Sequence, residues 1–339
     1  MREKDLTAPA EVLAEAAELK TAAPKKSGLP GKKKKWTPQA VGGLFLALVP
    51  LIGFLIFSGF PIIVSAISLF ADVNLTYLDD GFTWNNFEGF KIVFVNHYAE
   101  NTSIAYNIAG YFYKACGITV WLASIQFVTL AIALVISVLL ATNPRGGKVF
   151  QILYFVPYIC STVAVSLMWK WVFNAEEYGV LNTILGTGIR WLEDTRTMTW
   201  TIVVAIMWQA PGYGIVMYKA ALANVDSTQY EAAALDGANA WQKFWHITVP
   251  GIAPTTFFLM ISGVSAGLLT YDIAALMIPD GWNYFTEGGM GLTLMRLAYY
   301  LRGVGKNVSS AAVISWVLFA VTASISYVLF RRREKSMEG

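Results

Sequence analysis

Charge is what this chain has least of. Asp, Glu, Lys and Arg make up 14% of its 339 residues, while 56% are hydrophobic and the mean hydropathy is +0.51. A water-soluble domain carries roughly a quarter charged residues. The apolar surplus exceeds what one soluble core hides, so it must face lipid. A net charge of +3 is too small to draw a whole protein onto nucleic acid, and that class of partner is excluded. The two cysteines, Cys116 and Cys160, share no metal or redox spacing, which removes zinc ribbons, disulfide scaffolds and C-x-x-C oxidoreductases. Two histidines, His97 and His246, cannot build a multi-histidine metal site. There is no G-x-x-x-x-G-K-S/T run, so the chain has no loop to cradle a triphosphate and no means of hydrolysing ATP by itself. No nucleophile and base pair is visible at membrane depth either. We assign no catalytic residue, no metal and no cofactor to this chain.

What is present is length without charge. A helix needs about 20 residues to cross a hydrocarbon core of roughly 30 Å. Six uncharged runs reach it: Trp36 to Ala71, Ala115 to Pro144, Val149 to Trp169, Thr197 to Tyr218, Ile247 to Tyr271 and Asn307 to Phe330. Backbone groups in lipid must pair within their own segment, and the runs are too continuous for alternating barrel strands, so an all-α protein of six transmembrane helices is expected. Pro50 and Pro61 predict a kink in the first. About two-thirds of the 25 lysines and arginines fall in one alternate set of loops, residues 1–35, 143–148, 219–246 and 331–339, which places that set and both termini in the cytoplasm. The chain then reads as a basic tail over 1–35, a membrane domain over 36–330 with a cytoplasmic loop over 223–250, and a basic tail over 331–339. Residues 8–23 of the first tail, rich in Ala, Glu and Leu, predict a short helix, and Lys32 to Lys35 an orientation signal that also attracts anionic lipid.

The loop between the fourth and fifth runs is longer than a turn requires. Thr228-x-x-Glu231 has the form of a capping box, an alanine run follows, and Gly237 supplies a left-handed helix end. A second short helix is expected from about Asn239 to His246, with Trp241, Phe244 and Trp245 on one side. The small Ala232, Ala233 and Ala238 permit close approach of another protein, and Glu231 and Asp236 offer acceptors to a partner's donors.

Glu231-Ala232-Ala233, Gly237, Ile247 and Pro250 stand at the spacings of a known signature: Glu-Ala-Ala, three residues, Gly, nine residues, Ile, one residue, Leu, Pro, with Val249 here in place of the leucine. On these positions the chain resembles the permease subunits of ATP-binding-cassette importers. Asp236-Gly237-Ala238, then Trp241, Phe244 and Ile247, resemble the carbohydrate-uptake branch of that family. So do Phe155-x-Pro157, Trp169, Phe173-Asn174, Gly179-x-Leu181-Asn182 and Trp208. The long external segment after the first span and the basic end Arg331-Arg332-Arg333 are similar to the first permease of the pair, of the maltose and glycerol-3-phosphate type. Residues 278–289 depart from the Thr-Gly-Gly-Pro pattern often found there. The resemblance implies a type I importer permease in a bacterial or archaeal plasma (inner) membrane. It would work with a second permease, two ATPase subunits that consume ATP and magnesium, and an extracellular or periplasmic solute-binding protein. The coupling contact would be Glu231, Ala232, Ala233, Asp236, Gly237 and Ala238. A sugar is the leading solute, with glycerol phosphate, a peptide or an amino acid as alternatives; an ATP-independent secondary transporter is a further one.

Charges and aromatics near the spans give the pathway candidates. Asp272 lies 22 residues past Pro250, about 33 Å along an ideal helix, and reads either as an acceptor for sugar hydroxyls or as a helix-end carboxylate at the headgroups. Trp208, Tyr213 and Tyr271 have faces on which a pyranose ring can stack, Tyr213 beside Gly212 and Gly214. Lys170 and Lys219 read as interface anchors at span ends. Gly212, Gly214, Ser262, Gly263, Ser265 and Gly267 should allow helices to cross closely.

Overall fold

A computed structural model of the chain describes residues 38–73, 82–95, 108–142, 144–175, 179–278, 291–303 and 307–338. The N-terminal tail with its expected helix and lysine run, and most of residues 278–289, lie outside them. The chain divides into two compact units at Pro61. The first contains α1 (Pro38–Phe54), then a wide π-helical turn (Leu55–Gly59), after which α2 (Phe60–Ile67) begins. Pro61 accounts for the turn: it has no N–H to give the Phe57 carbonyl and its ring crowds that position, so the ladder opens and the Phe60 N–H reaches back to Leu55. The expected kink is therefore a π turn.

The second unit is built around α4 (Ile108–Ala141), a helix of 34 residues. Before it come a two-stranded antiparallel hairpin, β1 (Ala71–Val73) with β2 (Phe82–Trp84), and α3 (Glu88–Val95). After it come α5 (Gly147–Ile159), α6 (Thr162–Val172), α7 (Val180–Leu185), α8 (Met198–Gln209) and α9 (Pro211–Ala223). The chain continues through α10 (Ser227–Leu235), α11 (Ala240–Lys243), a second π turn (Phe244–Thr248), α12 (Val249–Gly251), α13 (Ala253–Leu268) and α14 (Asp272–Met277). It closes with α15 (Leu294–Gly303) and α16 (Val308–Glu338). The architecture is helical, with the hairpin its one addition among the described residues.

Three layers of core succeed one another along α4. At its start Phe112 packs with Ile92, Leu297, Leu301 and Ile314. Further along, Leu122 and Ile125 pack with Ile202, Ala205 and Met277. Towards its end Ala133 and Leu140 pack with Ile215, Tyr218, Ile252 and Leu259. Glycines let the flanking helices close on it. A Cβ on Gly267 would lie 2.5 Å from the Ala123 Cα, and one on Gly214 would lie 2.8 Å from the Ala133 Cβ. A Cβ on Gly212 would lie 2.6 Å from the Tyr154 carbonyl oxygen, on α5. The stretch 212–214 is thus a packing surface in the first turn of α9. Both ends of the loop over 223–250 emerge beside the last layer, at the same end of the unit as the C-terminal turns of α16, where the Arg333 guanidinium lies 4.9 Å over the Phe257 ring.

Five helical segments are long and apolar enough to cross a membrane: Phe45–Ile67, Ile108–Ala141, Met198–Ala223, Ala253–Met277 and Val308–Glu334. The third expected span, Val149 to Trp169, is not one straight helix: α5 and α6 meet at 99°, and as a bent pair they make a sixth. Cys160 and Ser161 take extended backbone at the corner, three residues past Pro157. The Gln209 side-chain amide donates to the Cys160 carbonyl at 3.2 Å, so the break does not leave that oxygen bare. Composition records that a segment is apolar; it carries no record of the direction in which the segment runs.

Candidate functional site

The loop between α9 and α13 folds as a rigid elbow. Its first arm, α10, begins two residues earlier than a Thr228 cap would allow. Asp226 is the N-cap, its carboxylate accepting the Thr228 N–H at 3.0 Å, which holds its pKa below the usual carboxylate range. Thr228 and Glu231 therefore do not form the capping box, and the Glu231 side chain is left exposed. The arm ends as Gly237 requires: its φ is +77°, the Ala238 N–H reaches the Ala233 carbonyl at 2.9 Å and the Gly237 N–H reaches Ala234 at 3.2 Å. That pair of bonds is a Schellman closure. The reciprocal box sits on the second arm instead. Asn239 Oδ1 accepts from the Gln242 N–H at 2.9 Å, and Gln242 Oε1 accepts from the Asn239 N–H at 2.8 Å.

The second arm is shorter than expected. Regular α11 lasts only to Lys243, and the chain then widens into the π turn Phe244–Thr248. Pro250 stands two residues beyond this turn, as Pro61 does beyond the first, and the Val249 N–H bonds to the Phe244 carbonyl. Trp241, Phe244 and Trp245 pack on one another, with ring centroids 5.2 to 6.0 Å apart. Between the arms lies a hollow of about 340 Å³ bordered by Ala233, Asp236, Gly237, Ala238, Lys243 and His246. Four of the six expected coupling residues thus share one concavity, while Glu231 and Ala232 lie on the exposed face of α10 and Leu235, 90% exposed, is at its tip.

The pathway candidates do not converge in the same way. Tyr213 stacks on Tyr158 at 5.5 Å beside the α5–α6 corner, Trp208 meets Trp169 edge-on at 6.0 Å, and Tyr271 leans on Tyr299 at 5.0 Å. Asp272 is exposed in the first turn of α14 and makes no ion pair among the described residues. Lys170 lies in the last turn of α6, whereas Lys219 donates to Gln151 Oε1 of α5. Two further residues have roles that spacing could not give. Buried Asn182 donates to the Asn174 and Ile189 carbonyls and accepts from Thr187 and the Trp191 indole, tying together the segment after α6. Tyr230 bonds to Thr248 across the elbow.

The sequence profile of the family described as binding-protein-dependent transport system inner membrane component matches residues 133–336, from the last third of α4 through the elbow to α16. The chain belongs to that family. It is a multi-pass membrane permease, a transport subunit. Over 217 residues it is 31% identical to the lactose transport system permease protein LacF of Rhizobium radiobacter, covering 60% of this chain and 69% of that one. It is 28% identical over 300 residues to the multiple sugar-binding transport system permease protein MsmF of Streptococcus mutans, covering 87% and 95%. Its fold is similar to a chain of the bacterial alginate ABC transporter crystallised with an alginate pentasaccharide-bound periplasmic protein, with TM-score 0.65 and 21% identity over 86% of this permease and 93% of that chain.

Proposed function

We propose that this permease forms half of the membrane path of an ATP-driven importer for a sugar or oligosaccharide, in a bacterial or archaeal inner membrane. Its elbow is the surface on which a separate ATPase subunit acts. A second permease completes the path, two ATPase subunits use ATP and magnesium, and a solute-binding protein delivers the cargo from outside. The elbow carries this reading: a surface helix braced at both ends, presenting Glu231, Ala232 and a hollow floored by small residues, is suited to receiving a protein and not a solute. The likeness to carriers named for lactose, multiple sugars and alginate supports carbohydrate as the cargo class. Tyr213, with its ring on Tyr158 beside the corner carbonyl of Cys160 and the Gln209 amide, is the pathway candidate best placed to hold a pyranose face. Asp272, Trp208 and Tyr271 stand as separate contacts.

Glu231→Lys tests the coupling contact. The variant should insert and express as the wild type does, yet copurify with far less ATPase and support no uptake. Wild-type uptake and ATPase recovery in that variant would reject the assignment.

A further inference from the structure

Tyr230 and Thr248 are 18 positions apart and lie on opposite arms of the elbow, yet their hydroxyl oxygens are 2.9 Å apart. Thr248 is only 6% exposed, and its Oγ1 also lies 3.4 Å from the Lys243 carbonyl. A threonine hydroxyl has one proton. If it is given to Lys243, the Tyr230 O–H donates to Thr248 and the chain of bonds runs one way, from α10 through Thr248 into the backbone of the wide turn. At the base of the elbow a second contact closes the bracket: a Cβ on Gly251 would come within 2.9 Å of a Val225 methyl, so α12 and the end of the fourth span touch with no room to spare.

We propose that the Tyr230–Thr248 hydroxyl pair is the positioning contact that carries displacement of α10 into the fifth span, a reading that rests on the elbow being where the ATPase acts. Without it, the two arms are joined at the tip only through the Schellman turn at Gly237, the residue of the loop with the freest backbone. The tip would bend before the base moved. With it, α10 and the last residue of the π turn move as one body. Thr248 is immediately succeeded by Val249–Gly251 and the start of α13, with no linker to absorb the motion. The π turn is the place where that body joins a membrane helix whose ladder Pro250 has already opened.

The test uses the complete importer in proteoliposomes, with Tyr230→Phe, Thr248→Val, Thr248→Ser and the Phe–Val double variant. Uptake and ATP hydrolysis are measured together with cargo-loaded binding protein outside. One neutral hydrogen bond corresponds to roughly a fivefold change in an equilibrium. Tyr230→Phe and Thr248→Val should each lower the cargo moved per ATP about fivefold while the ATPase still copurifies. The double variant should be no worse than either single one, and Thr248→Ser should restore the ratio. An unchanged ratio in Tyr230→Phe, or a Thr248→Ser variant as impaired as Thr248→Val, overturns the strut. Failure of the wild-type chain to recover any ATPase would instead overturn the functional reading beneath it.

Discussion

Gly237 is the residue on which the shape of the elbow turns. A Cβ there would meet nothing within 4 Å, so any cost of substitution comes from the backbone at φ +77° and not from crowding. Gly237→Val should cost about 1–2 kcal/mol, and Gly237→Asn less, because Asn tolerates the left-handed region. Thermal unfolding of the two purified variants checks this; equal losses would mean that the position is held for its contacts and not its conformation. The sequence makes Gly237 legible because so few residues can end a helix this way. It misleads at Thr228, where Asp226 two residues earlier is an equally good cap and takes the helix start. Tyr230 is not legible at all, since nothing along the chain says that its hydroxyl will find one 18 positions on.

Among the elements, the two π turns share a cause. Each ends two residues ahead of a proline, Gly59 before Pro61 and Thr248 before Pro250, at the place where a proline removes an N–H and crowds the carbonyl four residues back. Pro250→Ala should therefore let Phe244–Thr248 tighten to a regular α-helix. Amide exchange of that segment should slow, and uptake should fall, because dropping one residue from the turn rotates the fifth span by about 100°. Unaltered exchange would show that the turn is imposed by the Tyr230–Thr248 bond or by packing. The corner between α5 and α6 is the contrasting case. Pro157 announces an interruption there, but the 99° change of direction, and the Gln209 and Tyr213 contacts from neighbouring helices that line the corner, are absent from the local sequence. The hairpin before α3 is likewise tied to a distant element, Asn85 donating to Ser309 of α16.

At the scale of the whole molecule, the spans were the most legible feature, because lipid admits few sequences besides long apolar helices. Five segments stand close to where composition places them, though the second begins earlier, at Ile108. The elbow was legible as a surface structure because it is the one long polar interruption with helix start and stop signals of its own. The path for the cargo was not, since its aromatic candidates look in sequence like any interfacial tryptophan or tyrosine, and in our reading the chain is half of a path whose other wall a second permease supplies. What the chain itself lacks, a phosphate-binding loop, is what gives the elbow its purpose in our reading. The most direct measurement is concentrative uptake of a labelled oligosaccharide into proteoliposomes prepared with and without the ATPase subunits. Accumulation should occur only when the ATPase and ATP are both present, and should vanish with the ATPase omitted. Accumulation against a gradient by the isolated chain, with no nucleotide-hydrolysing partner, would contradict the account.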